Sequence, residues 1–126
     1  MIRFEALALA ICDSNGGFTP GTKAFQYCNP GLLKTYRPEK KKDEENYRIF
    51  TTVVGGFKAL MAELQARCTG LNHRLTQENS LQDMLTLYDI THDQAVRRVV
   101  LFLRRALEDE NVTAQLRLGW FQEDRK

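Results

Sequence analysis

Histidine, cysteine and proline are scarce in this chain of 126 residues, with two, three and three of each, and each scarcity narrows what the protein can be. His73 and His92 stand apart, with no Asp or Glu at ligand spacing, so no metal centre is expected and no cofactor either. Cys12, Cys28 and Cys68 are odd in number and none lies in a C-x-x-C spacing, which speaks against a zinc site or a disulfide framework. The expectation is reduced, half-buried thiols, with a Cys12–Cys28 bridge as the alternative. Ser14, His92 and Asp93 lack the strand–turn–helix context that a nucleophilic serine requires. No apolar run approaches the roughly 18 residues that span a bilayer. Charge of one sign is also lacking. Eighteen Lys and Arg against sixteen Asp and Glu leave a net +2, so nucleic acid is not an expected partner and neither is a membrane.

What remains is an ordinary globular composition, 43% apolar and 27% charged, in a chain long enough to bury a core of its own. It reads as a single domain over residues 1–126. The first residues, Met1-Ile2-Arg3-Phe4-Glu5, show neither the charged start nor the long apolar stretch of a signal peptide. Synthesis in the cytoplasm is therefore expected, with delivery to any cell wall or virion by other means.

Apolar spacing predicts a mostly helical fold. Phe4, Leu7, Ala8 and Ile11 recur at helical intervals over residues 2–14, and Gly16-Gly17 ends that helix. Residues 15–33 read as loop. Residues 34–46, with the run Glu39-Lys40-Lys41-Lys42-Asp43-Glu44-Glu45, read as a charged surface loop. Tyr47 to Thr51 suit a short extended segment. Phe57, Leu60, Met61, Leu64 and Cys68 form one stripe on a helix from about Thr52 to Cys68. Ser80 to Asp83 resemble a helix start, and Thr91 to Gln94 fit a capping box ahead of a helix over 92–107. That last helix carries the stripe Val96, Val99, Val100, Leu103 and Leu107, and Asn111 or Thr113 could begin a final short helix ending at Gly119. Phe57, Leu60, Leu64, Val99, Val100 and Leu103 are the expected core.

The segment Ala10-Ile11-Cys12-Asp13-Ser14-Asn15-Gly16-Gly17-Phe18-Thr19-Pro20-Gly21-Thr22, followed seven residues after Thr22 by Asn29-Pro30-Gly31, resembles the lysozyme-like domain of phage and prophage muramidases and virion structural proteins. That family reads A-I-A-x-x-E-G-F-x-x-P-G-S and then N-P-G-N-L. Further along, Phe50, Gly56-Phe57-Lys58-Ala59-Leu60 and Ser80-Leu81-Gln82-Asp83-Met84-Leu85-Thr86-Leu87-Tyr88 fall at the intervals of later family segments, so the resemblance covers roughly residues 5–108.

The resemblance implies an all-α, lysozyme-like fold with a loop-rich cleft, and the glycan strand of peptidoglycan as ligand. Asn15 stands where that family carries its catalytic glutamate. An amide hydrogen-bonds but supplies no proton, and general acid catalysis is typically worth about 10²–10⁴ in rate. Asp13 and Asp89 are the weak substitutes: Asp13 should point away along the helix, and nothing in the sequence brings Asp89 to the cleft. In family register, Asn15, Thr22, Asn29 and Tyr88 are the candidate glycan-binding residues.

The second asparagine of N-P-G-N-L is Leu32 here, and the aromatic after the family glutamate and glycine is Gly17. The expected protein is thus a phage- or prophage-derived, catalytically degenerate binder of peptidoglycan or a virion component. An active muramidase or lytic transglycosylase using another acid is the alternative. A third possibility is an interaction protein that binds a host protein, and Arg97, Arg98, Arg104 and Arg105 on the last long helix are its candidate partner-binding residues.

Overall fold

The computed structural model describes residues 2–68 and 75–123. It is all-α: α1 (Arg3–Ser14), α2 (Lys23–Gln26), α3 (Val53–Cys68), α4 (Leu81–Thr86) and α5 (Asp93–Leu107), with a short 3-10 helix at Leu118–Gln122. Extended structure among the described residues is limited to the isolated bridges Lys34–Tyr47, Lys42–Arg48 and Ser80–Arg117.

α1 is the central element. Ala6, Leu7, Ala8, Ala10, Ile11 and Cys12 are all buried, so the helix is enclosed on most of its circumference. It packs against α3, α5 and the 3-10 helix. Around it close Leu60 and Leu64 from α3, Leu81, Met84 and Leu85 from α4, and Val96, Val99, Val100 and Leu103 from α5. Three alanines on α1 explain how its neighbours come close enough to form one cluster. Of the expected core, Phe57 departs: it is half-buried, packed against the cluster rather than inside it. Leu107 is likewise half-buried, and the side chain of Cys68 and all of His73 lie outside the described residues. Cys12 and Cys28 are free thiols.

α1 ends at Asn15, and Gly16 then turns the chain with φ +79°, a left-handed conformation that costs glycine nothing. Residues 15–33 are not all loop. Thr22 accepts a hydrogen bond from the Phe25 N–H and so starts α2, a single turn too short to show periodicity. At Gly56 a Cβ would lie 1.9 Å from the Cys28 carbonyl oxygen, so α3 passes directly over the turn that follows α2.

Two expected helix signals work differently. Ser80 and Asp83 form a full capping box, whereas α5 starts one residue later than Thr91 would require. His92 is its N-cap and makes no side-chain cap bond. The final helix expected from Asn111 or Thr113 to Gly119 does not form. Instead the carbonyls of Ala114 and Leu116 accept from the N–H groups of Gln82 and Leu81, and Leu118 N–H donates to Asn79. This segment caps the start of α4, so those groups are unavailable for a helix of their own. No helix among the described residues is long and apolar enough to cross a membrane.

Candidate functional site

The end of α1, the loop after α2, the inner side of α3 and the chain beyond α4 enclose a cleft of about 780 Å³. Asn15 enters it from the C-terminus of α1, and Tyr88 and Asp89 from the end of α4. Tyr36 and Tyr47 stand on the loop side, with Glu63 and Arg67 on α3.

The loop side is held by Asn29, which is fully buried. Its side-chain amide donates to the carbonyls of Leu33 (2.9 Å) and Arg48 (3.0 Å), and its oxygen accepts from the Leu33 N–H (2.9 Å). These bonds tie the Gly31–Lys34 stretch to the segment carrying Tyr47. Thr22 donates to the Gly16 carbonyl at 2.7 Å and accepts from Phe25 N–H, closing the α1–α2 turn. Neither residue lines the cleft. Thr22 and Asn29, expected among the glycan-binding residues, are therefore spent inside the scaffold, because a buried asparagine and a helix-capping threonine have no polar group left to present. Of the four, Asn15 and Tyr88 are brought to one cleft.

Asn15 donates from its amide nitrogen to the Pro30 carbonyl at 3.1 Å. Opposite, the Tyr88 hydroxyl donates to Glu63 Oε1 at 2.5 Å, and Arg67 Nη2 approaches the same oxygen at 3.3 Å. The Arg67 guanidinium lies 5.5 Å from the Tyr88 ring centroid, and its Nε and Nη1 have no hydrogen-bond partner among the described residues. Burial, then the adjacent Glu63 charge, pushes the Tyr88 hydroxyl well above its ordinary value, so it remains a hydrogen-bond donor. Lys34 adds a cation over the Tyr47 ring, 4.8 Å from its centroid.

Glu63 is the carboxylate that sequence reasoning missed. Its signal was present: it is the one acid of α3, with Arg67 four residues on, the spacing of a helical ion pair. The apolar stripe of the same helix drew attention to its other face. Asp89 reaches the cleft through a left-handed backbone, φ +60°. Asp13 does not reach it. Its carboxylate is paired in a two-pronged contact with Arg98 on α5, at 2.8 and 3.1 Å, on the side of α1 away from Asn15. Asp13 is thus removed as a substitute acid.

Among the described residues no group of three or more His, Cys, Asp or Glu is placed to hold a metal ion. The cleft offers amide, hydroxyl, carboxylate and guanidinium groups beside tyrosine rings, a set that binds by hydrogen bonding and stacking. No family model, curated protein or solved structure matches this chain.

Proposed function

We propose that the chain is a lysozyme-like protein of phage or prophage origin that binds peptidoglycan glycan strands in this cleft without cleaving them, as a structural or virion component. The observation that carries the reading is Asn15: it closes α1 and lines the same cleft as Tyr88, at the position where the family resemblance expects a catalytic glutamate. An amide there hydrogen-bonds a sugar but protonates no glycosidic oxygen. Tyr36, 73% exposed, supplies a ring face for the apolar side of a pyranose unit. A cleft of about 780 Å³ falls in the range of small-ligand sites and accommodates a short oligosaccharide.

Titration of ¹⁵N-labelled protein with N-acetylglucosamine oligomers and soluble muropeptides tests this reading, alongside turbidity loss on purified cell walls. Shifts clustered at Asn15, Tyr36, Tyr47 and Tyr88 with unchanged turbidity are expected. Glu63 gives the enzymatic alternative a specific form, since it is a cleft carboxylate. Hydrolysis by the unmodified chain that disappears in Glu63→Gln would establish that alternative. Absence of any glycan-induced shift would leave the fold serving a protein–protein role.

A further inference from the structure

The four arginines of α5 are not equivalent. The inner face of the helix buries Val96, Val99, Val100 and Leu103. On the outer face Arg98 is committed to Asp13, and Arg104 Nε donates to the Val112 carbonyl at 2.9 Å. Arg97 and Arg105 are exposed and, among the described residues, have no hydrogen bond or ion pair. Between them lies Leu101, 37% exposed, the one large apolar side chain that α5 leaves in solvent. Arg97, Leu101 and Arg105 are four residues apart in succession, so they run down one line of the helix at about 6 Å per step. They border a groove of about 810 Å³ floored by Leu101, Phe102 and Ala106, which shares no lining residue with the cleft.

We propose that this groove docks an acidic amphipathic helix of a partner protein, with carboxylates against Arg97 and Arg105 and an apolar side chain on Leu101 and Phe102. Charge complementarity selects the partner. The one acid in the groove wall, Asp13, is neutralised by Arg98, so two unpaired positive charges face outward. The apolar centre between them is what a phosphate backbone does not use and an amphipathic helix does. The span from Arg97 to Arg105, about 12 Å, equals two four-residue steps on an incoming helix. Arg98, held by Asp13, keeps the groove's shape rather than its charge, and Arg104, held by the Val112 carbonyl, lies outside the groove.

The test uses the full chain and fluorescence anisotropy with a labelled alanine-based helical peptide carrying Glu, Leu and Glu at successive four-residue intervals. The peptide is expected to bind, to weaken as salt rises, and to lose about tenfold in affinity when the chain carries Arg97→Gln with Arg105→Gln. Leu101→Ser is expected to weaken it as well, and a Gln-for-Glu peptide to bind poorly. Thermal melts confirm that each variant remains folded, as substitution of exposed side chains predicts. Undiminished binding by the double variant overturns the proposal, as does failure of the peptide to bind at millimolar concentration. Tighter binding of a 20-base-pair DNA duplex or of phosphatidylglycerol vesicles, lost in the double variant but indifferent to Leu101→Ser, overturns it in favour of a polyanion. A dimer in sedimentation that dissociates in the double variant overturns it in favour of a second copy.

Discussion

The Asn15 amide nitrogen donates to the Pro30 carbonyl across 3.1 Å, so the residue at the end of α1 also ties that helix to the loop forming the cleft wall. A carboxylate at this position has no proton to give the carbonyl at neutral pH and faces an acceptor instead. Asn15 is thus coupled to the backbone of the Asn29-Pro30-Gly31 turn, and placing a glutamate there disturbs more than chemistry.

On the proposed reading, Asn15→Glu should therefore confer peptidoglycan hydrolysis weakly at most. It supplies a proton donor but breaks the bond to Pro30, and catalytic geometry tolerates little looseness. Turbidity assays on cell walls, read against the wild type and Asn15→Gln, measure this. Asn15→Gln keeps the amide and should stay silent. Robust turnover by Asn15→Glu would mean that the cleft already holds a catalytically competent geometry.

Replacing Asn29 should act on stability rather than on binding contacts. Asn29→Ala removes one acceptor and two donor bonds around a fully buried side chain, leaving the Leu33 N–H and the Arg48 carbonyl without partners, while the Leu33 carbonyl keeps the Arg48 N–H at 2.9 Å. Buried groups left unsatisfied cost roughly 1–3 kcal/mol each, partly relieved by entering water, so a loss of about 3 kcal/mol is expected in denaturant unfolding. A loss of ligand affinity at unchanged stability would show that Asn29 reaches the ligand after all.

Helices α1, α3, α4 and α5 are legible in the sequence because their apolar residues recur at 3.6-residue spacing, and α1 is also stopped by Gly16 and α4 started by Ser80. The single turn of α2 is not, since four residues carry no period. Nor is the segment after Asn111, whose carbonyls answer to α4 and not to its own chain. The site was half legible. Asn15 and Tyr88 line one cleft because one is the C-cap of α1 and the other lies just beyond the C-cap of α4, and helix ends can be read from spacing. Thr22 and Asn29 keep their intervals in the same pattern for a different reason: they build the loops. Glu63 was hidden because an isolated acid on a helix does not reveal which neighbour its exposed side faces.

Cys12 should be chemically silent in the folded protein. Burial, chiefly, pushes its thiol from 9.0 up to about 12, and Cys12 has no exposed surface. At pH 8 its thiolate fraction falls about a thousandfold below that of an ordinary thiol. In the Cys28→Ser/Cys68→Ser chain, reaction with a disulfide reagent should wait for denaturant. Prompt labelling of that variant under native conditions would show that α1 is not enclosed as described.

The loop carrying Tyr36 and Tyr47 should loosen at acid pH through Asp43. Burial alone would raise this carboxyl, but the Tyr47 N–H, the Tyr27 hydroxyl at 3.0 Å, the Glu45 N–H and Lys23 together hold it below its ordinary 3.8. A depressed carboxyl contributes stability that is fully present above its unfolded value and disappears as pH falls through the folded one. The loop is thus pinned from neutral pH down to about pH 4 and released below it. Lys23 does not limit this range, because its hydrogen bond to Glu45 raises it to about 12 and it stays charged throughout. Limited proteolysis between Lys34 and Arg48 should accelerate below pH 4 in the wild type, using an acid-active protease and a control substrate to correct for its own pH profile. Asp43→Asn should cleave readily at pH 6 and change little on acidification, since it removes the titrating group and keeps only part of its hydrogen bonding. Equal acid sensitivity in the two chains would assign the release to a carboxylate other than Asp43.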